Sequence, residues 1–349
     1  MARTMKAAVM TAPFKIEIEE RPIPEIGEQE VLVKVMAVGV CGSDIHYYEH
    51  GRIGRYVVEK PIILGHECAG IVEAVGPGVT RLKPGDRVAV EPGITCGRCP
   101  ACKEGRYNLC PDVRFLATPP VDGAFVQYIK HREDFLFPIP DTLSFEEAAL
   151  IEPFSVGLHA AKRAGVKPGQ TVAIMGMGPV GLTAVAAAKA FGAETIVVSD
   201  MEPIRLEAAL KLGATHAVNI RDNDPVQAVR EATGGRGADV AFETAGNPKA
   251  LQTALQAVRR GGKLAIVGLP PQEEVALNVP WIADNELDIF GIFRYANTYP
   301  QGISLLASGI ADVRSLITDS YPLERTQEAM ERARTNKGGS LKVVVYPNE

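Results

Sequence analysis

No apolar run in this 349-residue sequence is long enough to cross a bilayer. The best candidate, residues 180–193, is too short and is interrupted by Lys189. Runs of lysine and arginine are missing too, and the chain is mildly acidic, with a net charge of -5 and a pI near 5.8. That balance argues against nucleic acid or an anionic membrane as partner. The first ten residues have neither the apolar stretch of a secretory signal nor the Arg/Ser-rich character of a transit peptide, so a cytoplasmic protein is expected. Internal repeats, low-complexity tracts and long linkers are absent. Cysteine is scarce, six residues in all, and in a reducing compartment clustered cysteines are more often metal ligands than disulfides.

Four of the six lie in one loop, Cys96, Cys99, Cys102 and Cys110. The C-x2-C-x2-C-x7-C spacing lets a short segment wrap a cation with four thiolates, the donor set of a closed structural zinc site. A mixed set lies outside the loop: Cys41, His66, Glu67 and Glu152. Thiolate and imidazole are good zinc ligands, and a carboxylate from Glu67 or Glu152 would complete three, leaving one position open for water or substrate. Glu152 stands in an otherwise apolar stretch, where an unpaired carboxylate is costly and a metal is a suitable partner. Asp44 is expected to accept the far N–H of His66. Cys68 fits neither set and reads as a small buried apolar residue.

The chain exceeds the length at which one core usually stops growing, so two domains are expected. Its halves differ in pattern. Short strands at 6–10, 30–35, 69–75 and 87–90 are separated by Pro and Gly, as in an irregular, mostly antiparallel barrel. From about residue 156, strands at 171–175, 195–199, 216–219, 239–243, 263–267 and 287–290 alternate with helices at 179–191, 203–212, 225–232 and 248–258. Six strands with intervening helices predict an α/β, doubly wound parallel sheet. A final strand at 341–346 suggests that the tail returns to the first domain. The expected organisation is a mostly β domain of residues 1–154 and 296–349 with an inserted Rossmann domain of 155–295.

Gly176, Gly178 and Gly181 form G-x-G-x-x-G between an apolar strand and an Ala-rich helix. In that context the first glycine makes the turn, the second admits a pyrophosphate, and the third lets helix pack on strand. The helix start then favours the phosphate charge. Asp200, nineteen residues past Gly181, can accept from both ribose hydroxyls and would repel a 2′-phosphate, which favours NAD over NADP. Arg205 either packs over the adenine or phosphate, or lies on a solvated helix face.

The string Gly65-His66-Glu67-x2-Gly70-x5-Gly76-x2-Val79 resembles the signature of zinc-dependent medium-chain alcohol dehydrogenases. The four-cysteine lobe and the Gly-Val-Cys41-Gly-Ser43-Asp44 loop agree with it. Within that family, residues 47–54, 117–123, 150–153 and 293–298 are most similar to sorbitol dehydrogenase and the related polyol dehydrogenases. The resemblance implies a GroES-like catalytic domain, an NAD-binding domain, a cleft between them, two zinc ions per chain and a homotetramer. By position, Cys41, His66 and Glu67 would hold the catalytic zinc. Glu152, replacing a cysteine of the classical enzymes, would approach it through water, so the direct carboxylate ligand stays open between the two. Ser43 would start a proton relay, with His46 further out. Tyr47, Arg294 and Tyr295 would touch substrate, Glu152 also facing it. Val180, Val267, Gly268, Leu269, Phe293 and Arg294 would line the cofactor; for Arg294 a phosphate or nicotinamide-ribose contact is the alternative role. Mammalian sorbitol dehydrogenases lack most of the four-cysteine lobe, so its retention suggests a microbial or plant-like member.

The implied reaction is oxidation of a polyol to the ketose with hydride transfer to NAD. Alternatives on the same scaffold are xylitol, arabinitol, butanediol and threonine dehydrogenation. A different class, a non-catalytic zinc-stabilised nucleotide-binding protein, would have no need of an open metal beside Ser43.

Overall fold

The computed structural model describes residues 3–335 and 338–349. It divides into two compact units.

The first unit comprises Met1–Glu152, Tyr299–Ala307 and Ile317–Glu349. Its main sheet runs Leu136–Pro138, Arg87–Val90, Glu67–Val75, Glu30–Gly39, Lys342–Tyr346, Ile317–Pro322, and Tyr128–Arg132 also pairs with Glu30–Gly39. The pairings are antiparallel except the last, between Ile317–Pro322 and Lys342–Tyr346. Thr4–Ala12 heads a smaller sheet with Lys15–Pro22 and Ile62–Ile63. The strand Glu30–Gly39 is rich in valine, and its Val31, Val33, Val35 and Val38 are almost fully buried. β-branched residues suit such a pleated, packed surface. The expected final strand is present as Lys342–Tyr346, beside Glu30–Gly39 in the middle of this sheet.

The second unit comprises Pro153–Thr298 and Ser308–Leu316. Six parallel strands lie in the order His216–Asn219, Thr195–Asp200, Thr171–Met175, Ala238–Glu243, Val258–Ile266, Asp288–Gly291. Numbered within this sheet, that is 3-2-1-4-5-6, the doubly wound order that binds dinucleotides where the order reverses. The helices Pro179–Ala190, Pro203–Lys211, Pro225–Ala232 and Pro248–Ala257 each begin with proline, which is pre-shaped for a first helical position and has no N–H to leave unpaired. Side chains of Asp224 and Asn247 accept the exposed N–H groups of Val226 and Lys249 at two of these starts.

Two expectations are corrected. The fifth strand starts at Val258 rather than 263: Gly261 and Gly262 weaken the strand pattern, but the strand carries them through a register irregularity opposite Ala238 and Val240. The inserted segment is 153–298 rather than 155–295, and Ser308–Leu316 groups with it. In that second segment Ala311, Val313 and Leu316 are buried, anchors too sparse to form a pattern in the sequence.

Candidate metal centres and nucleotide site

The first donor set is built by the middle of the main sheet. Cys41 follows the strand Glu30–Gly39 and caps the helix Gly42–His50; His66 and Glu67 stand where the strand Glu67–Val75 begins. Cys41, His66 and Glu67 each offer a ligand atom, and these atoms all lie within 4.8 Å of one another. Asp44 organises them. Its Oδ2 accepts the N–H of Cys41 at 2.9 Å and its Oδ1 that of Gly65 at 3.0 Å. Oδ1 also lies 3.5 Å from His66 Nδ1, so the carboxylate orients both donor-bearing segments and faces the far nitrogen of the imidazole. Glu152 is buried, 5 % exposed, and its charge acts on Cys68, Glu91 and Lys342. It is not among the three donors that come together.

Lys342 is the residue that the sequence reading missed. It is almost fully buried, its ammonium pairs with Glu67 Oε2, and it donates to the Val40 carbonyl at 2.9 Å. Glycine makes the pair possible. Gly39 lies opposite Glu67 on one neighbouring strand and opposite Val344 on the other, and Lys342 is two residues before Val344, on the same face. A Cβ at Gly39 would stand 2.1 Å from Glu67 Oε2 and 2.9 Å from Lys342 Cε. The available signal was a lone lysine opening the apolar run Val343–Val345.

The field at this set attracts a cation. Burial opposes charge on His66, but the Cys41 sulfur and the Asp44 carboxylate outweigh it and hold the imidazole pKa well above its ordinary value. Burial likewise opposes charge on Lys342; Glu67, Cys41 and Glu152 overcome it and raise its pKa. Sulfur, imidazole and carboxylate donors converging in a negative field fit zinc.

The four-cysteine loop closes on itself. Cys96, Cys99, Cys102 and Cys110 bring their sulfurs within 4.8 Å of one another, and all six cysteines of the chain are free of disulfides. Backbone N–H groups point at the sulfurs: Cys96 to Cys110 Sγ at 3.4 Å, Cys99 to Cys96 Sγ at 3.4 Å, and Cys102 to Cys99 Sγ at 3.5 Å. Donation from Arg98 and Cys99 pulls the Cys96 thiol down to about 6. Four sulfurs with no other donor type fit a closed zinc site. Cys68, as expected, is fully buried, and burial pushes its thiol up to about 12.

Tyr107, within the loop, donates to Glu91 Oε1 at 2.8 Å. Burial pushes the Glu91 carboxyl up to about 7, against the pull of Tyr107 and with the help of Glu152. His131 hangs on the Glu91 backbone carbonyl at 2.8 Å, and burial holds its pKa down at about 4.

In the second unit the glycine turn opens the helix Pro179–Ala190, with Gly178 as its cap. A Cβ at Gly178 would meet nothing within 4 Å, whereas one at Gly181 would stand 1.9 Å from the Gly176 carbonyl. The second glycine therefore faces open space and the third packs helix on turn, the division of labour a dinucleotide requires. Val180 is half-buried on the first turn of that helix. Asp200 ends its strand and is already engaged: Oδ2 accepts from Met177 N at 2.7 Å, and Oδ1 from Met201 N and Glu202 N at 2.8 and 2.9 Å. Two donors fill Oδ1, so Oδ2 carries the capacity left for a ribose hydroxyl, which narrows the expectation of two. Arg205 does not lie on a solvated face; its guanidinium is 3.8 Å from Asp200 Oδ2 and its side chain 18 % exposed. Val267 and Gly268 follow the fifth strand, and Leu269 beside them is 71 % exposed.

The proposed substrate contacts divide between the units. Ser43 is half-buried and His46 exposed on the helix Gly42–His50, three residues apart and so on one face. Tyr47 on the same helix is buried, 4 % exposed. In the second unit Arg294 has φ 53° and stacks over Phe293 at 4.9 Å, while Tyr295 is 3 % exposed.

Comparison with known proteins agrees with this architecture. Residues 27–141 match the alcohol dehydrogenase GroES-like domain, and residues 179–308 match the zinc-binding dehydrogenase family. Over 346 residues, 99 % of this chain and 98 % of the relative, the sequence is 70 % identical to a sorbitol dehydrogenase of Bacillus subtilis (strain 168). An Escherichia coli oxidoreductase/dehydrogenase of unknown specificity has a structure with TM-score 0.96 at 42 % identity, covering 99 % of this chain and 100 % of that one. A zinc-binding dehydrogenase from Sinorhizobium meliloti 1021, bound to NADP, has TM-score 0.91 at 32 % identity, covering 99 % and 100 %. The chain belongs to the zinc-dependent medium-chain alcohol dehydrogenases. Within that family it stands close to the sorbitol dehydrogenases.

Replacing Lys342 by Met strands a buried carboxylate and should cost about 3–5 kcal/mol, read as a lower unfolding midpoint. Gly39→Ala should displace Glu67 and lower the zinc bound per chain by metal analysis; full zinc content would disprove the close-approach argument.

Glu91 carries a pH dependence. Its carboxyl lies near 4.5 when unfolded and about 7 when folded, so the folded state holds the proton more tightly. Its contribution is fully present below pH 4.5 and is lost as pH rises through 7. His131, held down at about 4, has the opposite sign, its contribution being lost as pH falls. Glu91→Gln should therefore remove the falling component, leaving thermal stability that rises more steeply, or falls less, between pH 4.5 and 7 than in the parent; parallel curves would refute this.

Proposed function

We propose that this protein oxidises a secondary hydroxyl of a polyol of the sorbitol type to the ketose and delivers the hydride to NAD. The observation that carries the reading is the 70 % identity to a sorbitol dehydrogenase across 99 % of the chain. The convergence of Cys41, His66 and Glu67 beside Ser43 supports it. Two zinc ions per chain are proposed, one held by Cys41, His66 and Glu67 with Glu152 nearby, the other by Cys96, Cys99, Cys102 and Cys110. NAD is preferred to NADP because the Asp200 carboxylate ends the second strand of the nucleotide sheet. A cytoplasmic homotetramer is the proposed working form.

Bound zinc supplies a Lewis acid able to lower a hydroxyl pKa, as it lowers that of water from about 15.7 to about 7, and NAD supplies the hydride acceptor. The chain's own groups handle the proton and the substrate. Ser43, two residues beyond Cys41, takes the proton that the substrate hydroxyl gives up while its own hydroxyl proton moves on to the next group. His46, exposed one turn later, passes it to solvent. Proton transfer of this kind contributes about 10²–10⁴-fold. Tyr47, Arg294 and Tyr295 are proposed to bind the remaining hydroxyls, for which phenol and guanidinium donors are suited.

Purified enzyme should contain two zinc ions per chain and form NADH with sorbitol or a related polyol faster than with butanediol or threonine. Removal of the ion held by Cys41, His66 and Glu67 should abolish turnover. Turnover that survives metal removal, or no polyol oxidation by fully loaded enzyme, would refute the proposal. Cys99→Ser should lose about one zinc and thermal stability while the protein left folded keeps its metal at Cys41. Asp200→Ser should weaken NAD binding and narrow its preference over NADP; an unchanged cofactor ratio would remove Asp200 from that role.

A further inference from the structure

Glu243 lies at the C-terminal end of the fourth strand of the nucleotide sheet, is 1 % exposed, and has no part in the chemistry above. A buried carboxylate is costly unless hydrogen bonds satisfy it. Here the main chain of two loops does so. Oε1 accepts the N–H groups of Ala245 at 2.9 Å and Gly246 at 2.8 Å. The backbone carbonyl of the same residue accepts Val267 N at 2.8 Å and Gly268 N at 2.9 Å. One residue thus ties the loop 244–247 to the loop 267–269.

The tied loops bear on the glycine turn. Thr244 Oγ1 donates to the Met175 carbonyl at 3.0 Å and the Gly176 carbonyl at 2.6 Å. A Cβ at Gly176 would stand 2.7–2.8 Å from Ala245, and one at Gly268 would stand 2.2 Å from Gly246 N and 2.8 Å from Glu243 Oε2. Three loops interlock backbone to backbone with almost no side-chain bulk between them. Such close packing is held only while the groups at its centre are satisfied. Amides 245 and 246 are turned inward to the carboxylate, so the open face at Gly178 is left to the ligand.

We infer that Glu243 is a positioning residue of the nucleotide site, holding the loops 244–247 and 267–269 against the glycine turn in the geometry that receives NAD. The inference rests on the reading of this site as a nicotinamide dinucleotide site. Two loop amides converge on one carboxylate oxygen; a glutamine oxygen accepts the same N–H groups more weakly, and alanine leaves them unpaired.

The test is NADH titration by fluorescence on zinc-loaded wild type, Glu243→Gln, Glu243→Ala and Val229→Ala, with steady-state kinetics on each. Val229 is a fully buried core residue of the same unit, outside the site. Glu243→Gln should weaken NADH binding and raise the KM for NAD by about three- to tenfold, and Glu243→Ala by more. At saturating NAD, kcat and the KM for polyol should stay within about twofold of wild type. Val229→Ala should lower the unfolding midpoint yet keep the wild-type NADH Kd. Should Glu243→Ala fail to fold, the glutamine variant decides alone. Unaltered NADH Kd in the Glu243 variants, or an equal change in Val229→Ala, overturns the inference while wild-type binding keeps the nucleotide reading intact. Wild-type protein that binds neither NADH nor NAD overturns both.

Discussion

The first unit depends on one buried ion pair, Glu67 with Lys342, made across a strand that has no side chain at the crossing point. Three adjacent strands supply Glu67, Gly39 and Lys342. Any residue larger than glycine in the middle would stand between the charges. Because side chains alternate along a strand, a slip of one residue in either pairing would turn Glu67 or Lys342 to the opposite face. The valine-rich core that fixes the register therefore also fixes the donor set. Taken alone the pair is weak evidence for stability, since desolvation offsets most of its Coulombic gain. Its significance is positional: Lys342 holds Oε2, so Oε1 is the oxygen Glu67 can offer to a cation shared with Cys41 and His66.

The two donor sets solve the problem of accumulated negative charge differently. In the four-cysteine loop, backbone N–H groups of the loop itself stabilise sulfur, and the donor set is complete within fifteen residues. In the main sheet the donors come from separate strands, and Asp44, Lys342 and Glu152 surround them with charges of both signs. A self-contained set of four sulfurs leaves no coordination position for a substrate. Three donors of mixed type do, and Ser43 lies in the first turn of the helix that Cys41 caps. This chemical difference, more than any single ligand, separates a structural centre from one that can work on a hydroxyl.

Much of this was legible in the sequence because it rests on local patterns. Cys96 to Cys110 lie in one segment, and Gly176 to Gly181 sit between a strand and a helix whose periodicities differ. Proline at each helix start marked the α/β unit to within a few residues. Three features were not legible. Lys342 reads as an ordinary strand opener, since its partner lies 275 positions earlier in the chain. The Asp200 carboxylate reads as free, because backbone N–H groups that engage it leave no mark on residue type. Val258–Arg260 reads as a helix end and turn, because consecutive glycines conceal a strand that tolerates an irregular register.

Three carboxylates buried in this chain, Glu67, Glu91 and Glu243, show how environment assigns a role to one chemical group. Glu67 faces an ammonium and metal donors. Glu243 faces main-chain amides, and although burial still raises its pKa, those amides favour the ionised form. Glu91 has the Tyr107 hydroxyl against burial and the repulsion of Glu152, and its carboxyl rises to about 7. Each role follows from the donors and charges that the carboxylate meets. Glu91, whose carboxyl changes state near neutrality, is tied to the four-cysteine loop by the Tyr107 hydroxyl and repelled by Glu152. The loop, through Tyr107, thus touches a carboxyl that Glu152 also repels, without contributing a ligand to the first donor set.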